Sequence, residues 1–185
     1  MGRVVVSASM SLDGFIAGPH DEMDWVFDHH FIADEPVPLL DDLIAATGAI
    51  LTGRRSFEVG QSAAREETSS AFGGRWSGPE LVLTHRPPPD RHGPDVRFLS
   101  GDITTAVEAA RAAALDRDVL VLGANVAQQC LAAELVDEII LVVLPMTLGD
   151  GVRLFGTPGY SETLFTTSDM ERAGDAVVLR LPRRR

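Results

Sequence analysis

The chain has 185 residues, of which 45% are hydrophobic and 23% charged, a globular composition with enough length to bury one substantial core. We therefore expect a single domain over residues 1–185. The formal net charge of −11 argues against nucleic acid or an anionic membrane surface as a partner. It also means that any phosphate ligand needs a local cluster of arginines.

The number of cysteines limits disulfide formation and indicates the cellular compartment. Cys130 has no second cysteine to pair with, which excludes an internal disulfide and favours a reducing cytoplasm. It falls with Leu131 on the apolar side of a predicted helix, so we expect a buried structural thiol. The N-terminal residues lack a signal-peptide pattern, and the longest apolar run, residues 139–146, is too short to span a bilayer.

Residues 1–79 are predicted to alternate strands and helices. Apolar runs indicate strands at residues 4–9 and 49–52. Residues 10–24 contain glycine and proline breakers and are predicted as a loop, whereas residues 37–47 show the apolar face of a helix that Gly48 stops. Residues 53–59 are predicted as a short helix closed by Gly60. Residues 61–79 are predicted as a surface loop with a helical turn around residues 63–68.

The alternation continues through the second half. Strands are predicted at residues 81–84 and 96–99, and the prolines at 87–89 force an extended exit between them. Asp102 suits the cap of a helix over residues 103–115, whose inward stripe is Ile103, Val107, Ala110 and Ala114. A strand (119–122), a turn (123–125), a helix (126–135) and a strand (136–144) follow, and a final hairpin pairs 162–170 with 176–181 around a turn at 173–175. The pattern predicts an α/β fold with a largely parallel sheet and antiparallel edge strands.

The end of the second predicted strand carries residues suited to an anion. A glycine, Gly53, makes the turn, and a helix then opens with Arg54, Arg55 and Ser56. Basic residues in a first helical turn oppose the helix dipole, so a bound phosphate would explain their presence. The alternative is that both arginines are solvated and make surface ion pairs.

Two further strand ends resemble the first. Thr84, His85 and Arg86 offer a hydroxyl, an imidazole and a guanidinium to a 2′-phosphate and an adenine, although an ordinary polar turn would look the same. Gly123 starts a turn before a helix N-terminus, where backbone N–H groups attract phosphate, and Asn125 could also cap that helix. Ligands of such sheets bind outside the carboxyl ends of the strands, so the three turns together indicate a dinucleotide. The Gly-x-Gly-x-x-Gly fingerprint is absent after the first strand, and a standard dinucleotide-binding fold is not expected.

Four segments together resemble the dihydrofolate-reductase-like superfamily, in the branch that contains the reductase domain of the bifunctional riboflavin-biosynthesis deaminase/reductase. They are residues 9–17, 52–57, 120–125 and 135–155. The resemblance covers nearly the whole chain. It implies a three-layer α/β/α fold with a central mostly parallel mixed sheet, a C-terminal antiparallel hairpin and an NADPH-dependent reductase activity. The cofactor-binding residues that it implies are Ile16 and Ala17 beside the nicotinamide; Gly53, Arg54, Arg55 and Ser56 at the phosphates; Thr84, His85 and Arg86 on the adenosine side; and Gly123, Ala124, Asn125 and Val126 against the pyrophosphate.

The proton that must accompany hydride transfer has no obvious donor. Folate reductases of this fold use a carboxylate early in the first long helix, whereas the matching position here is near the apolar Val37. Asp41 and Asp42 lie a turn later and are expected on the surface. True dihydrofolate reduction is therefore disfavoured. Asp13, in the loop after the first strand, is the candidate catalytic residue, and the alternative for it is a turn-forming aspartate.

The substrate side offers fewer signals. Asp24 and Trp25 are candidates for substrate binding, because Trp25 could cover a flat heterocycle; a core or lid position is the alternative for Trp25. Residues 150–151 are predicted as a tight turn without chemistry. Adjacent histidines at 29–30 do not share one face, and neither a helical His-x-x-x-His nor a cysteine pair is present, so no metal is expected.

Three functions remain open from the sequence. The first is an NADPH-dependent reductase of a small heterocycle, resembling the 5-amino-6-(5-phosphoribosylamino)uracil reductase step of riboflavin biosynthesis. The second is a non-catalytic nucleotide-binding or sensor protein on the same scaffold, and the third, disfavoured, is a dihydrofolate reductase. The zinc-deaminase pattern His-x-Glu…Cys-x-x-Cys is absent, which limits any riboflavin role to the reductase step. A homodimer is expected because sheet edges are often covered by a second copy.

Overall fold

The computed structural model describes residues 2–29, 31, 36–63, 71–87, 93–156 and 162–184. The strands are β1 (Val4–Ser11), β2 (Phe15–Ala17), β3 (Thr47–Gly53), β4 (Glu80–Leu83), β5 (Val96–Leu99), β6 (Asp118–Leu122), β7 (Glu138–Leu144), β8 (Val152–Arg153), β9 (Asp169–Ala173) and β10 (Ala176–Pro182). The helices are α1 (Trp25–Asp28), α2 (Pro38–Ala46), α3 (Arg54–Ala63), α4 (Ile103–Ala114) and α5 (Ala124–Ala132), with a 3₁₀ turn at Ala71–Gly74. Within this part of the chain no helix is long and apolar enough to cross a membrane.

Eight strands form one mixed sheet in the order β5-β4-β3-β6-β1-β7-β10-β9. Every pair from β5 to β7 is parallel, and β10 runs antiparallel to both β7 and β9. The predicted α/β class with a mostly parallel sheet and a C-terminal antiparallel hairpin is confirmed. Strands that are buried on both faces need continuous apolar runs, which explains why the run of residues 4–6 was readable from sequence.

Helices cover both faces of the sheet and give the predicted three layers. Val4 and Val6 of β1 point into a core under α4 and α5, while Val5 points into a second core under α1 and α2. This alternation follows from the two-residue period of a strand. The predicted inward stripe of α4 is buried, and Asp102 caps that helix as expected, with its Oδ1 accepting from the N–H of Thr105 at 2.9 Å.

The amino ends of the central strands are held by a charged cluster. Arg3 donates to Asp118 at the start of β6 (2.6 Å) and to Glu138 at the start of β7 (3.0 Å). Arg180 of β10 approaches the same Glu138, with its Nε 3.8 Å from Oε1. This cluster lies at the edge of the sheet opposite to the one where the predicted ligand turns occur.

Some predicted boundaries were wrong for reasons visible in the packing. Residues 10–24 are not all loop, because β1 extends to Ser11 and β2 pairs with the distant β8 as a separate antiparallel sheet. Gly48 belongs to β3 rather than ending α2: a Cβ there would lie 2.5 Å from the carbonyl oxygen of Ala114, so glycine permits a close approach to α4. Gly60 lies inside α3 and does not close it.

Other boundaries moved at the later elements. Helix α5 begins at Ala124 rather than Val126, and the first strand of the final hairpin is limited to β9. The turn predicted around residues 63–68 lies almost wholly outside the described residues. Residues 88–89 of the proline run, residue 30 of the histidine pair and Arg185 lie outside them as well.

Candidate active site

The three predicted turns meet at one edge of the sheet. Strands β4, β3 and β6 are adjacent and parallel, so their carboxyl ends lie side by side. The first and second turns touch directly, since Arg54 donates through Nη1 to the carbonyl oxygen of Arg86 at 3.1 Å. Residues that are 32 positions apart in the chain therefore form one surface.

The first and third turns are in still closer contact. Gly123 has a φ of 88° and is the N-cap of α5. A Cβ built on it would overlap the hydroxyl oxygen of Ser56 and lie 3.0 Å from the Cβ of Ser56. A Cβ on Gly53 would in turn lie 3.4 Å from Cγ2 of Val126. The amino termini of α3 and α5 are thus adjacent, and two such termini attract an anion through their free N–H groups and dipoles.

Both arginines of the first turn carry weak, exchangeable ion pairs. Arg54 contacts Glu58 one helical turn on, at 2.6 Å, and Arg55 contacts Asp21 at 2.9 Å. Their side chains are 43% and 74% exposed. Surface pairs of this kind contribute little, so a phosphate could replace the carboxylates. The surface ion pairs of the alternative interpretation are present, and they leave the phosphate role open.

The second turn is shaped by its own hydroxyl. Thr84 is buried, and its Oγ1 accepts from the backbone N–H of Arg86 at 3.1 Å. The side chains of His85 and Arg86 are exposed at the same edge. Thr84 therefore acts on the turn geometry, whereas His85 and Arg86 are the groups that a ligand could reach.

A cleft of about 550 Å³ opens beside the start of α5. Its volume is in the range of small-molecule sites. It is lined by Phe15, Ala124, Asn125, Gln128, Gly149, Asp150, Gly151, Val152, Arg153 and Gly156. Sequence reasoning gave residues 150–151 no role, yet they form part of its wall. The missed signal was three glycines within residues 149–156, inside the segment that carries the most specific family resemblance.

The carboxylate of Asp13 contacts the backbone at one end of this wall. It accepts from the hydroxyl of Ser11 (2.6 Å) and from the backbone N–H groups of Leu148 (3.1 Å) and Gly149 (2.7 Å). The hydrogen bond from Ser11, followed by those from Gly149 and Leu148, lowers the pKa of Asp13 to about 2. These contacts favour the turn-forming alternative, because a carboxylate that is ionised at neutral pH has no proton to give. Its catalytic role stays a prediction.

The predicted nicotinamide neighbours lie next to the same wall. Ile16 and Ala17 are buried in β2, which pairs with β8. Gly151 packs against the backbone of Ala17 so closely that a Cβ would lie 3.1 Å from the Ala17 carbonyl carbon and would overlap its oxygen. The cofactor-side prediction and the cleft therefore share one boundary.

The two candidate substrate residues do not line the cleft. Trp25 is 8% exposed in the core under α1 and α2, and its indole Nε1 donates to the carbonyl oxygen of Glu22 at 3.1 Å. Asp24 is exposed. This placement favours the core alternative for Trp25, and the substrate-binding role of both residues stays a prediction.

Other groups considered from sequence are placed as follows. Val37, where folate reductases of this fold carry a carboxylate, is buried at the N-cap of α2. Asp41 bridges to Arg75, and Asp42 is exposed. Cys130 is buried, as predicted. Among the described residues, no group of three His, Cys, Asp or Glu side chains is arranged to hold a metal ion.

Comparison with protein families settles the lineage. The chain matches the RibD C-terminal domain family over residues 3–179. It belongs to that family. Membership supports an oxidoreductase of the riboflavin-pathway reductase type. A comparison with curated proteins found no match.

Solved structures of RibD-type and folate reductases share the fold. A protein from Shewanella sp. PV-4 named for riboflavin biosynthesis superposes with a TM-score of 0.81 at 23% identity, covering 99% of both chains. The deaminase/5-amino-6-(5-phosphoribosylamino)uracil reductase of Thermotoga maritima superposes with a TM-score of 0.62 at 12% identity. The superposition covers 99% of the present chain and 57% of the Thermotoga protein. Dihydrofolate reductase from Enterococcus faecalis, complexed with NADP(H), superposes with a TM-score of 0.58 at 13% identity. The superposition covers 100% of the present chain and 98% of the reductase.

The residues at the first and third turns of this RibD-type domain fit the phosphate groups of a dinucleotide. The absence of a side chain at Gly123 makes room for the hydroxyl of Ser56 and so brings the N-termini of α3 and α5 side by side. The first turn of α3 contains no acidic residue, so nothing in that turn repels a phosphate. The donor set of two guanidiniums, one hydroxyl and backbone N–H groups is the chemistry that phosphate groups require.

Proposed function

We propose that this protein is an NADPH-dependent reductase of a small heterocycle, of the kind reduced in the 5-amino-6-(5-phosphoribosylamino)uracil reductase step. The observation that carries the proposal is the meeting of three glycine or arginine turns at one sheet edge. Arg54 contacts Arg86, and Ser56 abuts Gly123. A ligand with several phosphates separated by sugar groups is the ligand class that can use all three turns together.

In this proposal each turn binds a different part of the dinucleotide. Arg54 and Arg55 neutralise phosphate charge, and the starts of α3 and α5 hold the pyrophosphate. His85 and Arg86 contact the adenosine side, on a turn whose shape Thr84 sets. Ile16 and Ala17 face the nicotinamide ring. The cofactor supplies the hydride when bound. The protein binds it, orients it and excludes water.

The proton has a different source from that in folate reductases. Val37 provides no acidic group, and Asp13 is ionised and already accepts three hydrogen bonds. We therefore expect the proton to come from water. For the same reason a strict dihydrofolate reductase remains disfavoured.

The deciding experiment is titration calorimetry with NADPH and NADH on the purified protein. We expect NADPH to bind more tightly, because the extra 2′-phosphate meets the basic second turn. Arg54→Ala should weaken NADPH binding about tenfold, the size of one charge-assisted contact. Arg75→Ala removes an equivalent guanidinium paired with Asp41 outside the three turns and should leave binding unchanged. Absence of NADPH binding, or equal effects of the two variants, would refute the proposal.

A non-catalytic nucleotide-binding protein is the second candidate. It is favoured by the missing carboxylate at Val37 and by the engaged state of Asp13. The two candidates differ in turnover, so NADPH consumption should be followed optically with a panel of aminouracils and pteridines. Binding of NADPH without oxidation by any of them would favour the sensor role.

We also propose a homodimer acting in the cytoplasm. Met170 of the edge strand β9 is 66% exposed and Leu164 is 57% exposed, so this side of the sheet presents apolar surface. A second copy could cover it. Size-exclusion chromatography with light scattering should give twice the chain mass, and a monomer at high concentration would contradict the proposal.

A further inference from the structure

We propose that Asp13 is a positioning residue: its carboxylate fixes the glycine-rich wall of the cleft, residues 148–153, against strand β2. The inference rests on the proposed function, because β2 carries Ile16 and Ala17, the predicted neighbours of the nicotinamide. The role differs from proton donation, in which Asp13 would have to release a proton to the substrate.

The carboxylate joins two loops that are distant in sequence. Oδ1 accepts from the N–H of Leu148 at 3.1 Å, and Oδ2 accepts from the N–H of Gly149 at 2.7 Å, across separations of 135 and 136 residues. Ser11 donates its hydroxyl to Oδ1 at 2.6 Å and so orients the carboxylate. Both oxygens are therefore committed to holding the wall.

The far end of the wall is held by independent contacts. Arg153 donates through Nη1 to the carbonyl oxygen of Asp13 at 2.8 Å, and its guanidinium carbon lies 4.3 Å from the ring centre of Phe15. The N–H of Leu154 donates to the carbonyl oxygen of Gly14 at 3.1 Å. Gln128 of α5 donates to the carbonyl oxygens of Arg153 and Leu154, each at 3.1 Å. The wall is thus tied to the β1–β2 turn at both ends, and its far end also contacts β2 and α5.

Gly151 transmits the position of the wall to β2. It lies between the two ends of the wall and packs on the backbone of Ala17 and Gly18. A Cβ built on Gly151 would lie 3.1 Å from the carbonyl carbon of each. A shift of residues 148–149 would carry Gly151 away from Ala17. Asp13 therefore acts on the cleft and on the nicotinamide side through the backbone, without touching a reacting atom.

Amide hydrogen exchange on the ligand-free protein tests the hydrogen bonds from Leu148 and Gly149 to Asp13 independently of any ligand. Asp13→Asn should accelerate exchange at Leu148 and Gly149 about tenfold or more, since a charged acceptor shared by two N–H groups is lost. Asp102→Asn is the matched control, because Asp102 also accepts from a backbone N–H but caps α4. It should leave Leu148 and Gly149 unchanged. Unchanged exchange in Asp13→Asn would overturn the proposal whether or not the protein is a reductase.

The wild-type protein provides a measurement that needs no variant. The pKa of Asp13 is lowered from 3.8 to about 2, so the tie is complete above pH 3.8 and is lost as pH falls towards 2. The charged side chains on the segment that faces Asp13 are Asp150 and Arg153. Protection of the Leu148 and Gly149 amides should fall in this window before that of Val5 and Val6 in β1. Loss of all four amides together, or full protection of Leu148 and Gly149 at pH 2, would contradict the proposal.

Ligand binding and kinetics separate positioning from proton donation. Asp13→Asn and Gly151→Ala should both weaken NADPH binding or lower kcat, although only the first changes an ionisable group. Neither should remove a limb of the kcat–pH profile. A lost limb in Asp13→Asn together with normal binding would identify a proton donor and overturn the proposal. If the wild type binds no NADPH while the exchange results hold, the proposed function fails and the structural tie stands.

Discussion

Ser56 and Gly123 contact each other where α3 and α5 begin, and the missing side chain of Gly123 makes that contact possible. The N-cap glycine has a φ of 88°, and a Cβ on it would overlap the hydroxyl oxygen of Ser56. The two residues are 67 positions apart in the chain, and their contact brings two helix N-termini together. The proposed pyrophosphate site depends on this pair.

Gly123→Ala should therefore damage both stability and binding. The backbone of Gly123, with φ 88° and ψ 142°, lies outside the left-handed helical region in a conformation that side chains disfavour, so an alanine there costs about 1–3 kcal/mol, and the overlap with Ser56 adds to this cost. We expect a lower midpoint in urea unfolding and weaker NADPH binding in calorimetry. The double variant Ser56→Ala/Gly123→Ala relieves the hydroxyl overlap but not the backbone cost, so it should recover part of the stability. Equal stability of the wild type and Gly123→Ala would show that the two helix starts are not packed as described.

Gly60→Ala should have the opposite effect. Gly60 lies within α3, its φ is not positive and a Cβ there meets no atom within 4 Å. Alanine lowers the entropy of the unfolded chain and favours the helix, so we expect a gain of about 0.4–1 kcal/mol. Thermal unfolding followed by circular dichroism would measure it. A loss of stability would mean that this position has a packing partner.

Glu138→Gln should destabilise the protein without affecting ligand binding by the folded molecule. The Glu138 side chain is 4% exposed and accepts from Arg3, itself 47% exposed. Because water partly screens this pair, we expect a cost of about 1–3 kcal/mol. Glu134→Gln breaks a pair with Arg183 in which the glutamate is 79% exposed, and it should cost less than about 0.5 kcal/mol. Urea unfolding compares them, and equal costs would contradict a structural role for the buried pair.

Cys130 should react with thiol reagents only after unfolding. Burial raises the pKa of its thiol to about 12, so at pH 8 the folded protein holds almost no thiolate. The raised pKa stabilises the fold below the unfolded value of 9.0, and this contribution is lost as pH rises towards 12. Alkylation with iodoacetamide, analysed by mass spectrometry with and without denaturant, would test this. Rapid labelling of the native protein would refute the buried position.

The parallel part of the sheet could be predicted because each strand carries its own signal. Residues 4–6 and 119–122 are apolar runs bounded by turn residues, and the structure places a strand at each. The helix cap at Asp102 could also be predicted from nearby residues, because a capping side chain accepts from a backbone N–H three residues away. The three ligand turns were found for the same reason: each is a short stretch that follows a strand.

Several interpretations failed at glycines, whose role in the fold is not readable from the local sequence. Gly48 and Gly60 were both predicted to end helices, although one packs β3 against α4 and the other lies inside α3. A glycine in a sequence indicates that the backbone is conformationally free there, but it does not identify the residue that packs against it. The wall at Gly149 and Gly151 was missed in the same way, because its partners lie near residue 15.

By itself, the sequence determined the α/β class, the parallel strands, the buried Cys130 and the three turns at the strand ends. These depend on hydrophobic period, capping and turn chemistry, all of which act within a few residues. Only the tertiary structure decided that β2 pairs with β8, that Asp13 binds the N–H groups of Leu148 and Gly149, and that Ser56 touches Gly123. Such contacts join backbone groups across long separations, and a backbone N–H or a missing Cβ looks the same in the sequence whatever it meets.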